Sequence, residues 1–179
     1  VDYSTSIKDI VVELSDYSRS SSSEVHGSVH LDQIARDALR LVERSADVQG
    51  IEFRLQIPED LRLLARVNEI QQVFVNLLKN AADAVRDRHG SDGGLVEIHA
   101  GRDGEQIWCE VRDNGVGIPA ERLASVFDPF FTTKPPGKGT GLGLNVVWRL
   151  LTKYRGTVGI ESEVGVGTAI RFKLPPQSD

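Results

Sequence analysis

Residues 72–84, QVFVNLLKNAADA, decide the fold prediction because they combine a buried helical face with two regularly spaced asparagines. Apolar residues recur there at intervals of three and four, which predicts a helix over residues 68–88. We expect Asn68 to cap this helix. Its buried face is expected to consist of Ile70, Val73, Phe74, Leu77, Ala81 and Ala84. This is the strongest helix in the sequence, and the other elements are placed around it.

The two asparagines, Asn76 and Asn80, are one helical turn apart and project on the same side, with Asp83 at the border of the apolar face. Asparagine is a poor helix former, and such local conflicts mark functional positions. Its carbonyl oxygen is a hard ligand that suits Mg²⁺. The alternative is a pair of surface asparagines on a solvated helix face.

The flanking sequence alternates between helical and strand periods. We expect helices over about 32–47 and 141–154, a short helix near 120–127, and strands over 51–57, 61–67, 95–101, 106–112, 157–162 and 168–174. Residues 113–140 form a long Gly/Pro-rich connection, which inside a compact domain is usually functional. Several neighbouring strands are antiparallel, so we predict an α+β fold with one helical layer on one sheet.

The N-terminal residues 1–18 have the spacing of a helix that packs along another helix. Their apolar positions follow a heptad pattern formed by Tyr3, Ile7, Ile10, Leu14 and Tyr17. The alternative is an amphipathic helix that folds back on its own domain. Residues 18–23, SRSSSS, predict a polar linker.

Composition limits the possible classes of function. The chain has 179 residues, is 40% hydrophobic and carries a formal net charge of −5, which argues against a nucleic-acid binder. The longest uncharged run, residues 139–148, is too short to cross a bilayer. The single cysteine, Cys109, cannot form an internal disulfide. Because methionine is absent and the chain starts at Val1, we expect a piece of a longer protein.

The sequence DNGVG at residues 113–117 follows a predicted strand. By itself it is typical of a turn. The functional interpretation is a carboxylate at a strand end, beside glycines that let a flat ligand approach the backbone. A carboxylate only accepts hydrogen bonds. Asp113 would therefore select adenine, which offers an amine, over guanine, which offers a carbonyl oxygen.

The sequence GTGLG at residues 139–143 opens a predicted helix. Alternate glycines expose backbone N–H groups, and a helix N-terminus favours anions, so this segment predicts a phosphate site. A plain glycine loop is the alternative. Nucleotide binding needs a metal ligand, a base-reading carboxylate and a phosphate site. All three occur here in this order, and the combination indicates nucleotide binding more specifically than any one of them.

Five motifs in this order resemble the ATP-binding domain of sensor histidine kinases, in the superfamily that includes DNA gyrase, heat-shock chaperones and mismatch-repair ATPases. They are residues 72–84 (N box), 113–117 (first glycine box), 127–134 (FDPFFTTK, F box), 139–144 (second glycine box) and 165–168 (GVGT). The resemblance covers about residues 31–175. It implies a Bergerat-type α/β sandwich, an α+β fold whose mixed, mostly antiparallel sheet is covered by helices on one face, plus an N-terminal helix.

The resemblance also implies ATP and Mg²⁺ as cofactors, with Mg²⁺ on Asn80 and with Asn76 and Asn80 as catalytic residues. The implied ATP-binding residues are Asn76, Asn80, Asp83, Asp113, Gly115, Gly117, Lys134, Gly139, Thr140, Gly141, Leu142, Gly143 and Thr168. Residues 118–140 would form a flexible lid, docked through Phe127, Phe130 and Phe131. Lys134 would reach a phosphate, with a solvated loop lysine as the alternative.

Three features of the sequence, compared with the family pattern, bear on activity. In hydrolysing relatives a glutamate lies one turn before the metal-binding asparagine, and here that position is Asn76, which is no general base. Ala84 stands where the family often has an aromatic or basic residue. The phosphoacceptor motif of histidine kinases, a His followed by Glu or Asp, is also missing. None of the four histidines fits it, and these are His26, His30, His89 and His99.

We therefore expect a fragment of a sensor histidine kinase, with the end of a dimerisation and phosphoacceptor hairpin at 1–23, a catalytic domain at 24–176 and a tail at 177–179. The γ-phosphoryl group would move to a hairpin histidine and then to the receiver domain of a response regulator. The intact protein would be a homodimer through the hairpin. The domain would be cytoplasmic, in a parent protein that can be anchored in the inner membrane.

Three alternatives remain open. One is a serine/threonine protein kinase of the same fold, of the anti-sigma-factor type, which needs no hairpin. Another is a non-enzymatic nucleotide-binding regulatory module. A hydrolysing ATPase is the least favoured alternative, because of Asn76.

Overall fold

The computed structural model describes residues 27–44, 48–134 and 139–175. The predicted N-terminal helix, the linker and the C-terminal tail lie outside these residues. The elements in chain order are β1 (Gly27–His30), α1 (Leu31–Glu43), β2 (Glu52–Gln56), β3 (Arg62–Ala65), α2 (Val67–His89), β4 (Leu95–Asp103), β5 (Gln106–Asp113), α3 (Ala120–Leu123), α4 (Gly143–Lys153), β6 (Thr157–Glu163) and β7 (Gly167–Leu174). Within the described residues, no helix has the length and apolar character needed to span a bilayer.

The main sheet has five strands in the order β2-β4-β5-β7-β6. Strands β2 and β4 run parallel, and the other neighbouring pairs are antiparallel. This topology confirms the predicted α+β fold with a mixed, mostly antiparallel sheet. The register of β5 and β7 places Asp113 opposite Thr168. Two predicted site residues that are 55 positions apart in the sequence are therefore direct neighbours where β5 ends and β7 begins.

One face of the sheet packs against α2 and α4, α1 packs on α2, and together these elements form the core. Alternate residues of β5 point into it, namely Ile107, Cys109 and Val111, while Cys109 pairs in register with Phe172 of β7. Phe74 of α2 meets the Phe172 ring edge-on, with 6.1 Å between the ring centroids. The opposite face is polar and carries ion pairs of Glu110 with arginines of β5 and β7. This asymmetry explains why the helices cover a single face.

Strand β1 has no counterpart in the sequence prediction. It pairs antiparallel with β3 in a separate two-stranded sheet. The predicted strand at residues 61–67 is real, but it joins this small sheet rather than the main one. The four residues of β1, GSVH, are too few to give a readable alternation, and their partner lies more than 30 residues away.

The predicted cap at Asn68 is wrong. Helix α2 begins at Val67, its N-cap residue is Arg66, and no side chain caps it. A buried polar cluster occupies this end instead. The carboxylate of Glu69 accepts hydrogen bonds of 2.6 Å from both Lys153 and the Tyr154 hydroxyl, which ties the start of α2 to the end of α4.

These contacts decide the protonation of the Glu69 cluster. Burial by itself would raise the pKa of Glu69, but hydrogen bonds from Lys153 and Tyr154 outweigh it and hold that pKa below its usual value. Burial and the bond to Glu69 raise the pKa of Tyr154 to about 12. Glu69 is therefore ionised at neutral pH and holds the two helices together.

Candidate nucleotide site

The exposed edge of α2 carries the two predicted asparagines next to the start of α4. A methyl group built on Gly143 would lie 3.7 Å from Nδ2 of Asn80 and 3.9 Å from Oδ1 of Asn76. Both side chains are partly buried. The structure thus brings the predicted metal ligand and the predicted phosphate loop together, although Gly143 is 63 positions after Asn80 in the sequence.

The second glycine loop (residues 139–143) leads into the N-terminus of α4. Gly141 has φ +69°, and a Cβ there would lie 2.3 Å from the backbone carbon of Phe130, so only glycine fits. The hydroxyl of Thr140 accepts a bond of 3.3 Å from the Leu142 amide. The N-cap residue of α4, Leu142, has no side-chain cap. The first amides of α4 therefore remain suited to an anion.

Asp113 lies at the end of β5, on the inner face of the sheet, and is 8% exposed. Its Oδ1 accepts a hydrogen bond of 2.8 Å from the Gly115 amide. Burial raises the pKa of Asp113 to about 6, against the effect of hydrogen bonds from the backbone amides of Gly115 and Thr168. At neutral pH the group is a buried carboxylate with acceptor capacity to spare.

The first glycine loop (residues 113–117) fits closely between α2 and the end of β6. A Cβ on Gly115 would lie 2.4 Å from the backbone carbon of Ala84, and one on Gly117, at φ +72°, would lie 2.0 Å from the carbonyl oxygen of Glu163. Both glycines are therefore required for packing. They bring the loop backbone against α2, next to Asp113, and so form one wall of the site.

Thr168 is 7% exposed and belongs to a small hydroxyl network beside Asp113. Its Oγ1 lies 2.8 Å from the hydroxyl of Ser162, which also accepts a 2.8 Å bond from the Ile118 amide. Sequence reasoning did not identify Ser162. Its signal is visible only in the β6–β7 register, which pairs it with Thr168.

Two basic residues at the end of α2 were also missed. Arg88 and His89 both donate to the carbonyl oxygen of Asn114, at 2.8 Å and 3.0 Å. Basic residues are common in the last turn of any helix, so their position in the sequence does not single them out. In the structure they hold the loop that contains Asp113.

Lys134 forms an ion pair with Asp83 of α2. A Cβ on Gly139 would lie 3.1 Å from Cδ of Lys134 and 2.7 Å from Oγ1 of Thr132, so this lysine passes directly beside the second glycine loop. The pairing places Lys134 and Asp83 at the site, between its two glycine loops. The Lys134 side chain is 27% exposed and paired, and its predicted contact with a phosphate stays a prediction.

The predicted docking of the lid through phenylalanines is wrong for Phe130. This residue is 73% exposed and has φ +66°, a conformation rare for a bulky side chain. Its backbone, which closely approaches Gly141, makes the local contact instead. Phe127 contributes a backbone contact too, since its carbonyl oxygen accepts a 2.9 Å bond from the Asn145 side chain.

The site is elongated along α2. From Asn76 to Ala84 the helix rises about 12 Å at 1.5 Å per residue, with the start of α4 at one end and the first glycine loop at the other. One end suits an anion, and the other offers a buried hydrogen-bond acceptor. Within the part of the chain that the structure describes, no three His, Cys, Asp or Glu side chains form a metal cluster. A hard cation would fit the amide oxygen of Asn80 together with oxygens of the ligand.

Comparison with known proteins agrees with this geometry. Residues 65–178 match the family model described as histidine kinase-, DNA gyrase B- and HSP90-like ATPase. Sporulation kinase E of Bacillus subtilis (strain 168) is 31% identical over 147 residues, which are 82% of this chain and 19% of that protein. Sensor histidine kinase ZraS of Escherichia coli (strain K12) is 32% identical over 149 residues, 83% of this chain and 30% of that protein.

Solved structures of histidine kinases resemble this chain in fold. The catalytic domain of histidine kinase ThkA superposes with a TM-score of 0.72 at 28% identity, covering 85% of this chain and 96% of that one. Full-length ShkA in complex with AMPPNP has a TM-score of 0.75 at 25% identity, covering 98% of this chain and 37% of that one. The matched region of this chain spans 19% and 30% of the lengths of these two curated relatives. By its fold, its motifs and its family match, the chain belongs to the histidine kinase-, DNA gyrase B- and HSP90-like ATPase family.

Proposed function

We propose that this chain is the ATP-binding catalytic domain of a sensor histidine kinase and that it transfers the γ-phosphoryl group of ATP to a histidine. The observation that carries the proposal is the position of Asp113 and of the α4 N-terminus at opposite ends of the same face of α2. The names of the relatives support it, since ZraS is called a sensor histidine kinase. So does the AMPPNP complex of ShkA, because AMPPNP is an ATP analogue.

The residues of the site have distinct roles in this proposal. The carboxylate of Asp113 accepts the adenine amine, with Thr168 beside it, while Gly115 and Gly117 let the base approach the backbone. At the other end, the loop formed by Gly139, Thr140, Gly141, Leu142 and Gly143 presents amides to the phosphates. Mg²⁺ bound to Asn80 would neutralise developing charge on the phosphoryl oxygens.

The absence of a base at position 76 distinguishes a kinase from a hydrolase. The amide side chain of Asn76 cannot take a proton from water at neutral pH, so it can orient phosphate oxygens but not activate a water molecule. Positioning and electrostatics then supply the catalysis, and the phosphoryl group remains available for a protein acceptor. Asn76 is accordingly a binding and positioning group.

The proposal extends to the parent protein. Residues 1–23 would complete a helical hairpin that dimerises and carries the phosphoacceptor histidine, residues 24–176 would form the catalytic domain, and residues 177–179 would be a tail. The receiver domain of a response regulator would accept the phosphoryl group from the histidine. The catalytic domain would work on the cytoplasmic side, with the parent anchored in the inner membrane.

The test combines binding and transfer. We expect calorimetry to show Mg-ATP binding by the chain, and we expect γ-labelled ATP to label a helical hairpin encoded upstream in the same reading frame. A hairpin with its histidine changed to alanine is the control and should stay unlabelled.

Other results would contradict the proposal in different ways. A label on a serine of another protein would favour the serine/threonine kinase. Fast release of free phosphate without acceptor would favour the ATPase, and absence of any nucleotide binding would favour the regulatory module.

A further inference from the structure

Arg88 contacts three backbone carbonyls with one nitrogen. Its Nη1 lies 2.8 Å from the carbonyl oxygen of Asn114, 3.3 Å from that of Gly115 and 2.9 Å from that of Val166. The first two belong to the first glycine loop. The third belongs to the β6–β7 turn (residues 164–166), which lies next to Thr168. One side chain therefore joins the end of α2 to two other segments, the first glycine loop and the β6–β7 turn, around the base end of the site.

Backbone bonds connect the same segments only in pairs. The Val116 amide donates to the Ala84 carbonyl at 3.1 Å, and the Gly165 amide donates to the Val116 carbonyl at 2.8 Å. Arg88 adds a bond from the helix to the loop and to the turn at once. A guanidinium group suits this task because it has several N–H donors in a rigid plane and keeps its charge at any physiological pH.

The loop that Arg88 contacts is the one that holds Asp113 in place. Gly115, whose carbonyl accepts from Arg88, donates its amide to Oδ1 of Asp113 at 2.8 Å. His89 adds a second donor to the Asn114 carbonyl, and the Asn114 side chain accepts from the Leu95 amide at 2.9 Å. A shift of residues 114–115 would therefore move the amide that orients the buried carboxylate.

We propose that Arg88 is a positioning residue for the base pocket, which binds the carbonyls of the first glycine loop and of the β6–β7 turn so that Asp113 stays oriented toward the adenine. The proposal rests on the proposed ATP-binding function. Arg88 does not touch the nucleotide in this scheme. It acts by holding residues 114–115 and Val166, which lie next to Asp113 and close to Thr168 in the chain.

The first arm of the test needs no nucleotide. Amide hydrogen exchange is compared between the unaltered chain, Arg88→Ala and Arg88→Lys. We expect Arg88→Ala to speed exchange in residues 114–117 and 164–167, and at Leu95, whose amide is bound by Asn114, and to leave the rest of β4 and the first turns of α2 unchanged. Arg102→Ala, which removes the same charge from an exposed position of β4, is the matched control and should change neither segment.

The second arm measures Mg-ATP affinity by calorimetry. Loss of charge-assisted hydrogen bonds to the loop is expected to weaken binding about tenfold in Arg88→Ala. In Arg88→Lys the loss should be smaller, because an ammonium group still donates to one or two of the carbonyls. A residue that only supports overall stability would show no such local exchange pattern and no rescue by lysine.

The other possible outcomes contradict either the role of Arg88 or the proposed ATP-binding function. Unchanged exchange in both segments, or faster exchange with unchanged ATP affinity, would remove the positioning role. If Arg88→Ala does not fold, as seen by circular dichroism, Arg88→Lys decides by the same two readouts. If the unaltered chain binds no ATP, the proposed function fails and the role of Arg88 falls with it, whereas ATP binding that is equal in all variants overturns the role of Arg88 alone.

Discussion

The ammonium group of Lys134 is paired with the carboxylate of Asp83, three residues beyond Asn80 on α2. Their side chains are 27% and 38% exposed, so water screens the pair. While this contact is made, the charge of Lys134 is engaged and Asp83 places a negative charge near the proposed phosphate end. Asp83 and a triphosphate would therefore compete for the same lysine.

We predict that Asp83→Asn raises ATP affinity up to about fivefold, since a partly exposed ion pair contributes about 0–1 kcal/mol. Lys134→Ala should lower affinity by a similar factor. In the double variant most of the gain from Asp83→Asn should disappear, because no lysine is left to be released. Calorimetry on the four proteins measures this coupling, and weaker binding by Asp83→Asn would mean that Asp83 itself binds the nucleotide.

Asp113→Asn is predicted to separate binding from stability. The asparagine amide would place a donor opposite the adenine amine, so we expect ATP affinity to fall by about 2–3 kcal/mol, roughly 30- to 150-fold. At pH 7 the free energy of unfolding should stay the same or rise, because a buried charge is removed. Asp103→Asn, at an exposed position paired with Lys173, is the control. Equal ATP affinity in Asp113→Asn would exclude the base-reading role.

The pKa of Asp113 predicts a stability profile with pH. Because burial raises that pKa from 3.8 to about 6, the folded state holds the proton more tightly than the unfolded state. The resulting stabilisation is full below about pH 4 and is lost as the pH rises to about 6, a change of about 3 kcal/mol.

Chemical denaturation of the unaltered chain and of Asp113→Asn between pH 4 and 7.5 measures this difference. Glu69, whose pKa is lowered, changes the unfolding free energy with pH in the opposite direction to Asp113. Its contribution is the same in both proteins, so it cancels when the unfolding free energy of Asp113→Asn is subtracted from that of the unaltered chain at each pH. We expect the ATP affinity of the unaltered chain to rise over the same interval as Asp113 ionises. A pH-independent difference in unfolding free energy would show that Asp113 titrates at its ordinary pKa.

Gly117 and Gly165 form a matched pair, since their φ angles are +72° and +76°. A Cβ at Gly117 would overlap the Glu163 carbonyl oxygen at 2.0 Å, whereas one at Gly165 would meet nothing within 4 Å. Both alanine variants carry the backbone strain of about 1–2 kcal/mol. We expect Gly117→Ala to lose at least about 2 kcal/mol more, because the wall of the site must move. Equal unfolding free energies would show that the loop can shift freely.

The elements that the sequence predicted well have a period that is complete within one segment. Helix α2 buries residues at intervals of three and four, and the strands of the β4–β5 hairpin bury mainly alternate residues. Each of these patterns lies in one uninterrupted stretch of sequence, so it can be recognised without knowing the tertiary structure. The resemblance to a known family then supplied what periodicity lacks, namely that residues of α2, β5 and α4 form one site. In the structure Gly143 does approach Asn76 and Asn80.

The features that were missed depend on tertiary contacts. Strand β1 exists because β3 offers it a partner, and its own four residues carry no period. Phe130 reads as an apolar anchor, yet its backbone at φ +66° leaves the ring in solvent. Arg88 and Ser162 act on backbone groups of distant segments, for which a sequence contains no pattern.

The chain's single thiol lies on the strand that ends at Asp113. Cys109 is fully buried opposite Phe172, and burial raises its pKa far above its ordinary value. The thiolate that reacts with alkylating reagents therefore forms only when β5 separates from its neighbours. Each labelling event counts one opening of the central sheet, in the presence or absence of nucleotide. The native sequence thus contains its own kinetic reporter, which tells a variant with a weakened site from one with a weakened fold.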